Sequence, residues 1–387
     1  MEEKKVEFLK GNDAMQEELI DFLNYVFHMN GKDNDFYRLL PKLYKIESHP
    51  CEANYVTLEN GRIVAAVGSF PGLLSICGTT LNYYGIGNVA VNPYSRSKGY
   101  MNKLLNMAVE DMIKEDVDFS VLTGRRNRYS YFSYEIAGRI YHLWLDGSNV
   151  KHSKYGEASA DYEFVKVNEQ DDEILDNIVS LQEKQTFHYI RSKEKLYDIL
   201  MTWNPVVYAI YEKNAFAGYL VLYDNSTVKE FLLVNPEKCR EVVAAFVAKE
   251  RKEGVSFEFP ELQRTYIDEL VDLAENISIQ VAENFSVFHY QKVIEAFLKL
   301  KSLGDSLMDG EVTLLIHGRR ADERIHIQVQ NHQINVTQSE QHEDYELSHA
   351  QAMEVLFHNY SPRRNQMPSF LQSWFPLPIY IYPADLV

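Results

Sequence analysis

Cysteine is the scarcest chemical handle in this sequence. Only Cys51, Cys77 and Cys239 occur in 387 residues. The number is odd and the spacings are wide, so neither a disulfide framework nor a metal-ligand spacing can be drawn from them. A reducing, cytoplasmic compartment is the expectation. No run of about 18 apolar residues exists, so no membrane-spanning helix is expected. Met1-Glu-Glu-Lys-Lys5 leads into no apolar stretch of the kind a signal peptide needs. Positive charge is also short: 39 Lys and Arg against 56 Asp and Glu leave a net charge of −17. Nucleic acid and anionic membranes both demand a basic footprint, so neither is expected as a partner. The acidic excess is compatible with a cationic ligand, and equally with plain solubility.

What is present is an ordinary globular mixture, 45% hydrophobic and 25% charged, unusually rich in tyrosine with 26 residues. Length favours two to three domains. The stretch Gly87-Asn-Val-Ala-Val-Asn-Pro-Tyr-Ser-Arg-Ser-Lys-Gly-Tyr-Met101 reads as a strand, a basic glycine-bearing turn and a helix start. Val89 and Val91 alternate as in a strand. Met101, Leu104, Leu105, Ala108, Val109, Met112 and Ile113 then keep one helical face over three turns. Unpaired N–H groups and a partial positive charge at a helix start attract phosphate. Arg96, Ser97 and Lys98 precede this one, and Gly99 allows close backbone approach, so the segment is a candidate pyrophosphate cradle.

Before it, residues 1–50 look helical, with Met15–Met29 at helical spacing and Asn30-Gly31 expected to end that helix. Residues 54–70 read as a hairpin about Asn60-Gly61, and 73–84 as a further strand. After it, Val117–Thr123 alternates as a strand. The basic turn Gly124-Arg-Arg-Asn-Arg128 follows, then Tyr129-Ser-Tyr-Phe-Ser-Tyr134 and a strand over 138–146. Strand, helix, strand implies a parallel crossover, whose ligand lies beyond the strands' carboxyl ends. Arg125, Arg126 and Tyr129 should therefore fall near the cradle. Of the three arginines, Arg125, Arg126 and Arg128, Arg125 is taken as the phosphate contact.

Residues 147–160 lose periodicity and are read as a boundary. The pattern then repeats: a hairpin at Lys213-Asn214, a strand over 228–234, a helix to about Lys252 and a strand at 255–259. Both copies carry Val-Asn-Pro at the strand end, Val91-Asn92-Pro93 and Val234-Asn235-Pro236. From that Val to the next strand is 26 residues in the first copy (91 to 117) and 21 in the second (234 to 255). The missing residues are the cradle itself, so the sequence implies a duplication whose second copy lost the phosphate site. From about 286 a third region follows: a helix over 291–300, strands at 312–316, 324–329 and 333–337, and a helix capped by Ser348. The tail Trp374–Val387 is apolar and carries three prolines, unlike a floppy terminus, and is expected to be packed.

Val89-Ala-Val-Asn-Pro-Tyr-Ser-Arg96-Ser-Lys-Gly99-Tyr-Met101 resembles the acetyl-CoA-binding motif of the GNAT N-acetyltransferases, Arg/Gln-x-x-Gly-x-Gly/Ala after a Val-x-Val strand, with Met101 at the final small position. Over nearly its whole length the chain resembles the Eis (enhanced intracellular survival) branch. The family's Tyr-x-x-Phe-Gly-Tyr segment corresponds to Tyr129–Tyr134, with Ser133 for Gly. The resemblance implies a mixed α/β, α+β architecture. Residues 1–150 would be an acetyl-CoA-binding GNAT domain, 151–285 a degenerate GNAT-like domain, and 286–387 a sterol-carrier-protein-like domain. It implies acetyl-CoA as co-substrate, no metal and a homohexamer. The acceptor would be a small-molecule or peptide amine of cationic character: an aminoglycoside, a polyamine or a lysine-type amine. Cofactor contacts would be Val89, Ala90, Val91, Arg96, Ser97, Lys98, Gly99, Tyr100, Met101, Asn102, Gly124 and Arg125. Tyr129 would be the general acid, and the terminal carboxylate of Val387 the general base. A non-catalytic CoA-sensing or lipid-binding protein is the alternative that the cradle alone leaves open.

Overall fold

A computed structural model describes residues 5–29, 35–45, 50–155 and 161–387. The expected helix stop at Asn30-Gly31 lies outside them. The first copy contributes β1 (Val6–Lys10), α1 (Gln16–His28), β2 (Asn54–Glu59), β3 (Arg62–Ile76), β4 (Thr79–Val91), α2 (Tyr100–Lys114), β5 (Phe119–Leu122) and β6 (Glu135–Asp146). Asn60 and Gly61 both have positive φ, 50° and 77°, as a two-residue hairpin turn requires. The stretch 73–84 is not one strand. Cys77 and Gly78, at φ 48° and 81°, turn the chain back, and β3 and β4 pair antiparallel from Ile76↔Thr79 onward. The apolar residues on both sides of that turn hide it from a periodicity reading.

The second copy contributes β7 (Tyr162–Lys166), α3 (Asp172–Glu183), β8 (Phe187–Tyr189), β9 (Val206–Glu212), β10 (Ala215–Tyr223), β11 (Thr227–Leu233), α4 (Cys239–Glu250), β12 (Gly254–Pro260) and β13 (Asn276–Val287). Both crossovers are parallel, β4 to β5 and β11 to β12. The shared Asn-Pro works identically in each: Asn92 Oδ1 accepts from the Tyr94 N–H, and Asn235 Oδ1 from the Glu237 N–H. The second copy then enters its helix directly at Cys239, whereas the first inserts Arg96–Gly99 before α2.

The copies are joined by exchanged strands. The sheet order is β1-β2-β3-β4-β5-β13-β6-β12-β11-β10-β9-β7. Thus β13 of the second copy lies against β5 of the first, and β6 of the first against β12 of the second, all antiparallel. Each copy supplies a wall of the other. α1 buries Leu19, Ile20 and Leu23 on one face of the first half-sheet. α2 buries Leu104, Leu105, Ala108 and Val109 on the other, each fully buried Leu or Val contributing about 1.5–3 kcal/mol.

The third region holds α5 (Tyr290–Ser302), β14 (Gly310–His317), β15 (Asp322–Gln330), β16 (Gln333–Gln338), β17 (Tyr345–Ser348) and α6 (His349–Phe357). Its sheet runs β16-β15-β14-β17. Ser348 and Gln351 form a reciprocal capping box at the start of α6. The expected packed tail is present. Trp374, Ile379, Tyr380 and Ile381 are buried in a core that also holds Phe297 of α5 and Phe119 and Phe285 of the large sheet.

Candidate active site

β4 and β5 pair only from Tyr83↔Phe119 to Ile86↔Leu122. Beyond Ile86 they part, because β4 carries a bulge. The β3 partners jump from Ala66↔Ala90 to Gly68↔Gly87, so Asn88 and Val89 stand opposite Val67 alone, and Asn88 takes φ 55°. A bulge leaves ladder groups free and bends the strand. Asn88 is pinned there by a hydrogen bond between its Nδ2 and the Tyr44 hydroxyl. Nothing local in the sequence marks this feature.

At the end of β4 a cavity of about 480 Å³ is lined by Val89, Val91, Arg96, Ser97, Lys98, Gly99, Tyr100, Met101, Asn102 and Arg128. Ser97 and Gly99 both adopt left-handed conformations, φ 64° and 78°. No side chain caps α2, and the space where a Gly99 Cβ would stand is open. These are the features of an anion cradle. Lys98 is engaged: its Nζ lies 2.6 Å from Glu59 Oε1, which also accepts from the Tyr100 hydroxyl. The cradle's outward cations are therefore Arg96 and Arg128. Ala90 lines no part of the cavity and is buried in the core under α1.

A second cavity of about 750 Å³ shares Val89 and Arg128 with the first. Gly124, Arg125, Tyr129 and Val387 all line it, so the expected cofactor turn, general acid and terminal carboxylate meet there. Arg126 is instead paired with Glu135 at 2.7 Å. Gly124 has a structural duty: a Cβ there would run into the Tyr129 ring. Burial pushes the Tyr129 hydroxyl above its ordinary pKa, while the Arg128 guanidinium beside it pulls the other way. The turn after Tyr129 is held from the third region. His349, kept neutral by burial with a pKa of about 4, donates from Nε2 to the Ser133 carbonyl at 2.8 Å and accepts from the Tyr290 hydroxyl at Nδ1. Ser133 takes the left-handed conformation, φ 69°, that a glycine would favour.

The tail is tied along its length. Tyr189 donates to the Tyr380 carbonyl at 2.6 Å. Arg191 grips Asp385 with Nε at 3.0 Å and Nη2 at 2.7 Å, and grips Glu230 with both Nη atoms. Lys42 Nζ donates to the carbonyls of Ala384 and Leu386 at 2.6 and 2.7 Å. Burial lowers the Lys42 pKa to about 7, opposed by Asp385 and aided by Arg191. Val387 then lies over Gly85 and Gly87: a Cβ on Gly85 would meet its Cγ2 at 2.7 Å, and a Cβ on Gly87 its carboxyl carbon at 2.8 Å. The two glycines form the slot for the chain end.

Sequence reasoning missed Glu283. It enters the second cavity on the exchanged strand β13, and burial raises its carboxyl to a pKa of about 7, opposed by a hydrogen bond with Thr123 and by Lys229. Only the strand exchange brings it here, and no local motif announces that.

Residues 9–137 match the family described as the acetyltransferase (GNAT) domain. The fold is that of the GNAT acetyltransferases. The chain is similar to a GCN5-related N-acetyltransferase from Anabaena variabilis, with a TM-score of 0.68, 15% identity and 99% and 100% of the two chains covered. It is similar to another from Kribbella flavida, at 0.67, 14% and 99% of each. It is also similar to Eis1 from Mycobacterium abscessus, at 0.64, 13% and 98% of each. The likeness therefore spans the third region as well as both copies. No curated protein matches the sequence. Among the described residues no helix is long and apolar enough to cross a membrane, and no cluster of His, Cys, Asp or Glu could hold a metal ion.

Proposed function

We propose that this chain transfers an acetyl group from acetyl-CoA to the amine of a cationic acceptor by direct attack. One observation carries the reading: Val387 and Tyr129 line a single cavity that shares Val89 and Arg128 with the cradle. In this reading the α2 N-terminus, Arg96 and Arg128 hold the pyrophosphate, and the bulge at Asn88–Val89 offers a free backbone N–H to the thioester carbonyl. The Val387 carboxylate takes a proton from the acceptor ammonium, directly or through water. The freed nitrogen attacks the carbonyl carbon, the C–S bond breaks, the Tyr129 hydroxyl protonates the departing thiolate, and the second proton that the nitrogen sheds as the amide forms restores the Tyr129 hydroxyl, directly or through water. A hydroxyl kept protonated by burial suits that donor role.

The reading extends to three domains at 1–150, 151–285 and 286–387, the last sterol-carrier-like, and to a cytoplasmic homohexamer, which light scattering checks. The mechanism is tested by adding two residues after Val387. Acetyl-CoA binding should persist while turnover is lost. Unchanged turnover removes the carboxylate from the mechanism, and binding without turnover in the unextended chain favours a CoA-sensing protein.

A further inference from the structure

The acceptor cavity has a polar corner that the transfer chemistry does not use. Tyr223 is buried, and its hydroxyl has no hydrogen-bond partner, although the ring lines the cavity. Beside it stand groups of opposite charge. Lys229 Nζ lies 6.0 Å from the Tyr223 ring centroid and pairs with Glu258 at 3.2 Å, which leaves further N–H donors. Glu283 faces the same space and is close enough to feel the Lys229 charge. Trp203, held at φ 66°, leaves its ring partly exposed and lines the cavity with Phe36.

Tyr223, Lys229, Glu283 and Trp203 all come from the second copy, the one without a cradle. A cation and a carboxylate at one wall match a zwitterion: the carboxylate of a ligand on Lys229, its ammonium on Glu283. We propose that this corner is the head-group site for an α-amino acid carrying a second, side-chain amine, whose methylene chain lies along Trp203 and Phe36 while the side-chain amine reaches the reacting centre. The second copy has in this way become the acceptor wall.

The proposal rests on the acetyl-transfer reading for the fate of that second amine, but the corner itself can be tested apart from it. Lysine, lysine amide and cadaverine share the reacting amine and differ in the carboxylate and α-amine. Calorimetry with each, in the presence of CoA, reads the corner directly. Thiol release from acetyl-CoA reads transfer. Lysine should bind at least tenfold tighter than cadaverine and lysine amide, and show a correspondingly lower KM at similar kcat. Lys229→Gln should erase that preference by weakening lysine alone. Equal binding of the three, or a Lys229→Gln loss shared by all of them, overturns the proposal. The wild-type comparison stands even where the variant fails to fold. Tight lysine binding without thiol release supports the corner and removes the transfer reading. Thiol release indifferent to the carboxylate does the reverse.

Discussion

Gly87→Ala is the substitution whose effect the geometry constrains most tightly. Gly87 sits on β4 without positive φ, so alanine brings no backbone strain. The added methyl carbon would stand 2.8 Å from the Val387 carboxyl carbon, 3.0 Å from its Cγ2 and 3.1 Å from its backbone oxygen. Ordinary carbon contacts begin near ~3.5 Å, so the chain end must retreat by roughly 1 Å, and a misplacement of that size costs about 10²-fold in rate. The cradle is not touched, so the KM for acetyl-CoA should stay within about twofold of wild type. Gly85→Ala provides the control. Its methyl would meet only the Val387 side chain, Cγ2 at 2.7 Å and Cγ1 at 3.4 Å. Val387→Gly should therefore rescue Gly85→Ala and leave Gly87→Ala impaired, because the carboxyl group remains in the way. Initial rates of thiol release, with the best amine of a panel, measure all four proteins. Full kcat in Gly87→Ala, or equal rescue of both, refutes the reasoning.

Tyr129→Phe should keep the fold and acetyl-CoA affinity but lower kcat by about 10²-fold or more, as loss of a general acid does; steady-state kinetics beside circular dichroism checks both. Arg96→Ala should weaken acetyl-CoA by about tenfold or more, since a charge-assisted contact contributes about 1.5–3 kcal/mol, and should flatten the salt dependence of binding in calorimetry. Lys42→Met should lower kcat by loosening the tail, and it should alter stability against pH in a defined direction. The folded-state pKa of Lys42 is depressed to about 7, while the unfolded value is about 10.4. Between those values the unfolded chain binds more protons, so this group makes stability rise with pH from about 7 to 10 and adds no slope below 7. Urea midpoints across that range should lose the rise in the Met variant, and an unchanged slope would place the titration elsewhere.

Much of the architecture was legible because it is written locally. The helical face from Leu104 to Met112, the Asn60-Gly61 and Lys213-Asn214 turns, and the repeated Asn-Pro each depend on residues a few positions apart. The cradle was legible for the same reason, as an insertion present in one copy and missing from the other. The rest depends on distant pairing. Nothing near β6 or β13 records that these strands change places, so Glu283 and its neighbours could not be assigned to the cavity. The bulge at Asn88 is set by register with β3 and by Tyr44. Within the segment 1–50 that reads as helical, Val6–Lys10 is instead a strand, because it pairs with β2 across the intervening helix. Lys98 reads as a phosphate ligand in the sequence, but Glu59, 39 residues away, holds its ammonium.

The central claim, transfer from acetyl-CoA to an amine, is tested most directly by mixing the intact chain with acetyl-CoA and a panel of amino acids, polyamines, aminoglycosides and lysine peptides, following thiol release and the mass of the amine together. Release should depend on the amine, with one acetyl group appearing on it for each thiol freed. Acetyl-CoA that binds, with no amine-dependent release and no acetylated product from any member of the panel, would contradict it.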